Sequence, residues 1–202
     1  QGELCCERHF AQFSYVFSLV QVGGTDHLAT ANAAEATILQ QQGKYAQVCA
    51  SSLGKYATDI FCYTPGSIDL QYTHRGPFIL YAADDAHAHP PPAESASKLH
   101  LGQRLPVYRC MAGGQHFLSD RASCDDLNDF HPDYQEATTE GLLGYADARP
   151  HTGMPRRLVR CVPPLPKVAA TAAAAAKRAP YFALDAECLS LDERQAVLGY
   201  VE

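Results

Sequence analysis

The sequence predicts a mainly β (α+β) fold of three to four pseudo-repeats. Each would run strand, Gly turn, strand, short helix, strand, and be stapled by disulfides. Three observations predict it. LPVYRCMAGGQHFLSDRASC followed by EGLLGYADA (Leu105–Cys124, Glu140–Ala148) parallels RRLVRC, APYFALDAEC and QAVLGYVE (Arg156–Cys161, Ala179–Cys188, Gln195–Glu202), and self-similarity of this kind marks repeated architectures. The alternating apolar residues and the Val, Tyr and Phe content suit strands. The 202 residues are 47% hydrophobic and 19% charged, enough to bury a core and unlike a disordered chain.

Along the chain, a first copy is expected in GGTDHLATANAAEATILQQQGKYA (Gly23–Ala46), where Gly24 to Leu28 parallels Gly113 to Phe117. Asn32 with Glu35 forms a capping box, Gly43 stops the helix, and Ala34 and Ile38 share one helix face. Asp59–Tyr81 is expected to hold a degraded copy, since Ile60-Phe61-Cys62 resembles Tyr108-Arg109-Cys110. AHAHPPPAESAS (Ala86–Ser97) reads as a Pro-rich surface connector.

In the last two copies, Arg109-Cys110 matches Arg160-Cys161, Phe117 matches Phe182, Cys124 matches Cys188, and Leu143-Gly144-Tyr145 matches Leu198-Gly199-Tyr200. Seven positions separate Cys110 from Phe117 and 21 separate Cys161 from Phe182. The difference of 14 coincides with PPLPKVAATAAAAAKRAP, a loop insertion. The expected organisation is thus a diverged N-terminal repeat region (1–85), a connector (86–104) and two clear repeats (105–150 and 155–202), with an Ala-rich loop at 163–180.

These motifs resemble a family of secreted repeats of unknown function, the DUF5648 repeats. Its units read Leu-Tyr-Arg, Asp-His-Phe, a short helix, then Glu-Gly-Leu-Leu-Gly-Tyr. VYRC, GGQHFLS and EGLLGYA carry the resemblance in one copy, and GGTDHLAT with AAEA in another. It is strongest from Leu105 to Tyr200. The resemblance implies an accessory or adhesive role and transfers no catalytic residues.

The eight cysteines are even in number and include no CxxC pair, which favours disulfides over zinc. The alternative is reduced core cysteines in a cytosolic protein. The repeat pairs Cys110 with Cys124 and Cys161 with Cys188, leaving Cys5 and Cys6 to bridge to Cys49 and Cys62 in either order. An oxidising compartment follows, hence a secreted, extracellular or cell-surface protein. A start at Gln1 fits a mature chain after signal-peptide removal. No apolar run is long enough for a transmembrane helix, so no membrane insertion is expected. Net charge −6, with Arg156, Arg157 and Arg160 as the densest basic group, argues against a nucleic-acid partner.

Candidate chemistry is sparse. His27 and His116 occupy matching places and are candidate ligand contacts, or half-buried histidines completing turn hydrogen bonds. Tyr72, Tyr81 and Tyr134 are candidate surface tyrosines for sugar stacking, whereas Tyr145 and Tyr200 belong to the core. Asp84, Asp85, His87 and His89 are the one metal-like group, read as an incidental polar loop. Cys110 beside His116 could form a nucleophile–base pair, but the matching downstream cysteine reads as a structural bridge. No GxSxG elbow and no N-x-[ST] sequon occurs. No catalytic residue, metal or cofactor is expected. The functional expectation is a non-catalytic extracellular structural or adhesive module, a subunit of a larger cell-surface or matrix assembly. The alternatives are a carbohydrate-binding module or an accessory domain of a secreted hydrolase. Its partners would be extracellular proteins or glycans.

Overall fold

A computed structural model describes residues 13–24, 26–48, 62–63, 78–83, 103–125, 136–162, 180–185, 188 and 194–202, with backbone alone at 48, 62, 63 and 194. The described residues are mainly β. The strands are β1 (Phe13–Gln21), β2 (His27–Thr30), β3 (Tyr45–Val48), β4 (Cys62–Tyr63), β5 (Phe78–Tyr81), β6 (Arg104–Ala112), β7 (Gln115–Ser119), β8 (Thr138–Asp147), β9 (Arg156–Val162), β10 (Tyr181–Leu184) and β11 (Arg194–Val201). One helix, α1 (Ala33–Gln41), lies among them.

β1, β6 and β9 each run between two antiparallel neighbours. On one side is a short hairpin partner: β2, β7 or β10. On the other is a return strand: β3 and then β5 along β1, β8 along β6, and β11 along β9. The return strands also meet one another. Tyr81 pairs with Tyr145, Asp147 pairs with Tyr200, and Ile79 and Glu202 exchange backbone hydrogen bonds of 2.8 and 3.3 Å. β4 adds a parallel edge on β3.

The main core gathers from all three parts of this sheet: Val16, Phe78, Leu80, Val107, Leu158, Phe182 and Leu198 are among its fully or almost fully buried residues. The Leu-Gly-Tyr motifs sit where the return strands bulge. Leu143 is left over between the pairs Val107–Gly144 and Tyr108–Leu142, and Leu198 is left over between Leu158–Gly199 and Val159–Val197. Gly144 (φ +155°) and Gly199 (φ +141°) follow those bulges. A Cβ at Gly144 would lie 2.3 Å from the Tyr81 carbonyl oxygen, and one at Gly199 would lie 2.5 Å from the Ala146 Cβ. Only glycine fits both the backbone conformation and the close approach.

Cys110 is bonded to Cys124 and Cys161 to Cys188, at Cα separations of 6.0 and 5.6 Å, matching the pairing expected from sequence. The side chains of Cys5, Cys6, Cys49 and Cys62 lie outside the described residues.

Three expectations change. Phe117 faces Cys110 across its hairpin, whereas Tyr181, not Phe182, faces Cys161. The counterpart of Phe182 is therefore Leu118, because the hairpin register is shifted by one from the sequence match. At α1, Asn32 Oδ1 accepts from the Ala34 and Glu35 N–H groups, but the Glu35 carboxylate reaches Thr30 and Arg109 instead of returning to Asn32. The helix buries Ala36 and half-buries Leu39 while Ile38 and Ala34 face outward. It ends as expected at Gly43 (φ +66°), where Gly43 N–H donates to Gln40 and Lys44 N–H to Leu39. Finally, the described parts of Asp59–Tyr81 do not form a hairpin of the Arg-Cys type: β4 is parallel to β3, and β5 continues the return path along β1. A short helix follows the hairpin in the β1–β2 region, and the corresponding stretches after β7 and β10 lie mostly outside the described residues.

Candidate functional site

Seven polar side chains converge where the β1–β2 hairpin and α1 meet the β6–β7–β8 sheet. The β1–β2 turn brings Asp26, β2 brings Thr30, α1 brings Glu35 and β3 brings Tyr45. Arg109 comes from the middle of β6, His116 from β7 and Glu140 from β8. Glu140 is placed by a second bulge in β8. Arg109 pairs with Gly141 and Cys110 with Thr139, so Glu140 is the residue left over. A bulge re-aims a side chain, and here the carboxylate is brought onto Arg109 Nε at 2.9 Å and His116 Nε2 at 3.2 Å.

The remaining contacts knit the cluster. Arg109 grips Glu35 with both ends of its fork, Nη1 to Oε2 at 2.8 Å and Nη2 to Oε1 at 3.1 Å. Thr30 Oγ1 donates to the same carboxylate. Asp26, 1% exposed, accepts the His116 backbone N–H at 2.6 Å, His116 Nδ1 at 2.6 Å and the Tyr45 hydroxyl. Burial alone would raise the Asp26 pKa, but the hydrogen bonds from His116 and Tyr45 outweigh it and hold the carboxyl below its ordinary value. Glu35 behaves likewise: burial raises it, and the hydrogen bonds from Arg109 and Thr30 bring it below the ordinary range. Burial would lower Arg109, yet its two carboxylates raise it. Tyr45 is pushed upward by burial and by Asp26. Beside the cluster lies an open cleft of about 370 Å³, lined by Thr30, Ala31, Asn32, Glu35, Arg109 and Glu140 with Gly141 to Leu143.

No known protein family, characterised protein or solved structure matches this chain. What its site can do therefore rests on its own geometry.

An imidazole oriented by a buried carboxylate is the arrangement of a general base. Here the second ring nitrogen points at Glu140, so the imidazole is occupied on both sides by protein. Cys110, considered with His116 as a nucleophile, is bonded to Cys124 and carries no thiol. Among the described residues no group of three or more His, Cys, Asp or Glu is placed to hold a metal. No helix among them is long and apolar enough to cross a membrane.

The described sequence-derived candidates do not come together in one place. Among the described candidates only His116 enters the cluster; His27, at the matching place on β2, is buried. The counterpart position of His116 on the third hairpin precedes Tyr181, which instead faces Cys161. Tyr81 is not a surface residue. It is 8% exposed, its hydroxyl donates to Asp147 at 2.8 Å, and the Arg104 guanidinium lies 3.6 Å above its ring. It is buried because β5 lies between β1 and β8. Asp147 also receives His151 Nε2 at 2.6 Å. Tyr145 is buried and Tyr200 packs against it. Tyr72, Tyr134, Asp84, Asp85, His87 and His89 lie outside the described residues. Sequence reading missed Asp26, Thr30, Glu35, Tyr45, Arg109 and Glu140 as one group. The available signal was a charged residue, Arg109, in the middle of the strand sequence VYRCMA.

Proposed function

We propose that this chain is a non-catalytic, extracellular structural or adhesive module built from three pseudo-equivalent units. The observation that carries the reading is that the polar cluster's groups bond one another across two parts of the chain. Glu35 holds Arg109 across 74 residues and Asp26 holds the His116 backbone N–H across 90, clamping the first hairpin and helix onto the second unit. Acyl transfer of the nucleophile–base kind would need a free thiol or an imidazole with a free ring nitrogen, whereas Cys110 is in a disulfide and both ring nitrogens of His116 meet carboxylates.

The three-unit reading draws support from the ladders. Val16, Val107 and Leu158 occupy equal places on β1, β6 and β9, opposite Phe78, Gly144 and Gly199. Ala29, Leu118 and Phe182 occupy equal places on the hairpin strands, and all three lie in the main core. In the first unit the return strand would be β3 plus β5, with residues 49–77 inserted between them. On this reading the chain groups with the secreted repeats that its VYRC, GGQHF and EGLLGY motifs resemble. Secretion is supported by the two disulfides, which need an oxidising compartment to form and persist.

A second reading, glycan binding, is favoured by the cleft beside the cluster, whose lining mixes hydrogen-bond donors and acceptors with Ala31 and Leu142. The test of the principal reading is retention of protein-coated beads on surfaces bearing extracellular matrix proteins, with hydrolase and redox turnover assayed in the same samples. Retention without turnover is expected. Turnover that disappears in His116→Asn while the fold persists would refute it.

A further inference from the structure

We infer that the cleft between the α1 N-terminus and the β6–β8 bulge is a site for a neutral, polyhydroxylated ligand, a saccharide without charged groups. This rests on the glycan-binding reading above and assigns it a place and a chemistry.

The hydrogen-bonding capacity left in the cleft sets the ligand class. Arg109 uses three of its five N–H groups on Glu35 and Glu140, so two have no protein acceptor among the described residues. Both contacts to Glu140 fall on Oε2, leaving Oε1 without a donor among those residues. Asn32 uses its Oδ1 to cap the helix, leaving the amide NH₂. The residues lining the cleft therefore include both unused donors, on Arg109 and Asn32, and an unused acceptor, on Glu140. A hydroxyl both donates and accepts, so neighbouring hydroxyls satisfy such a lining. An anion would meet Glu140 and Glu35, and a cation would meet Arg109. Two carboxylates, Glu35 and Glu140, line the cleft against one guanidinium, Arg109, which further disfavours anions.

Two features indicate that the lining is preorganised. Thr30 bonds the Glu35 carboxylate, and His116, itself held by Asp26, bonds the Glu140 carboxylate. The bulge that delivers Glu140 is absent from the corresponding part of the β9–β11 ladder, where Arg160 and Cys161 pair with the consecutive residues Ala196 and Gln195. The extra residue is thus local to this cleft, whose size of about 370 Å³ suits one or two sugar rings.

The test is a glycan array carrying neutral, sialylated or sulfated, and amino-sugar glycans, followed by calorimetric titration of the best neutral glycan. Ala31→Trp would fill the cleft from an exposed position. Asn32→Asp keeps the helix cap but replaces the amide donor by a carboxylate. Both should weaken the neutral glycan by about ten-fold or more at an unchanged melting temperature, while Arg156→Ala, remote from the cleft, should not. Affinity within about two-fold of native in both variants would overturn the cleft assignment and leave glycan binding standing. Binding restricted to charged glycans would overturn the ligand class. No binding on any part of the array would end this inference and the glycan reading together.

Discussion

The carboxylate of Asp26 receives both the backbone N–H and the ring Nδ1 of His116 at 2.6 Å, across 90 positions of sequence. Asp26→Ala leaves that buried N–H, the imidazole and the Tyr45 hydroxyl without their acceptor. The expected cost is roughly 3 kcal/mol, or ~6–12 °C in Tm for a chain of this size. Thermal unfolding of native and variant protein followed by circular dichroism checks it.

Acid should loosen the same clamp. Asp26 and Glu35 are both held below their ordinary values of 3.8 and 4.5 in the fold. A carboxyl with a depressed folded pKa contributes stability that is present above its unfolded value and lost as pH falls through the folded one. The native Tm should therefore decline as pH drops below about 5, and the decline should be shallower in Glu35→Gln. A Tm series from pH 7 to pH 3 on both proteins measures it.

Glycine substitutions separate crowding from backbone strain. Gly144→Ala and Gly199→Ala meet neighbouring atoms at 2.3 and 2.5 Å and also carry positive φ. Each should cost ~2 kcal/mol or more. Gly141 (φ +137°) has nothing within 4 Å of an added Cβ, so Gly141→Ala should cost only ~1 kcal/mol of backbone strain. Urea unfolding of the three variants gives the ranking.

The parts of the fold legible in the sequence were those written locally. Gly113-Gly114 between two β-rich stretches marks a hairpin, and Asn32 and Gly43 mark the helix ends. Paired Arg-Cys and downstream cysteines gave the two bridges. The cluster was not legible, because its members are chosen by tertiary register. Glu140 looks like an ordinary motif residue until the β6–β8 ladder leaves it over, and Glu35 looks like a capping residue until Arg109 arrives from β6. Tyr81 read as a surface tyrosine because nothing near it in sequence reveals that β5 is an inner strand.

The stretch 163–180 joins adjacent ends of one hairpin, since Cys161 pairs directly with Tyr181. Replacing 164–179 by a short Gly-Ser turn should leave Tm within about 3 °C, because loop-closure entropy varies slowly with length. Non-reducing peptide mapping of the shortened protein should still recover Cys110–Cys124 and Cys161–Cys188.

The central claim is that the Arg109 cluster is a structural clamp between units. A double-mutant cycle on Glu35→Gln and Arg109→Met, read as unfolding free energy in urea, tests it most directly. The clamp predicts that each single change destabilises and that the pair couples by about 1–3 kcal/mol. Single variants as stable as the native protein or more so, with no coupling, would contradict it and mark the cluster as a strained functional site.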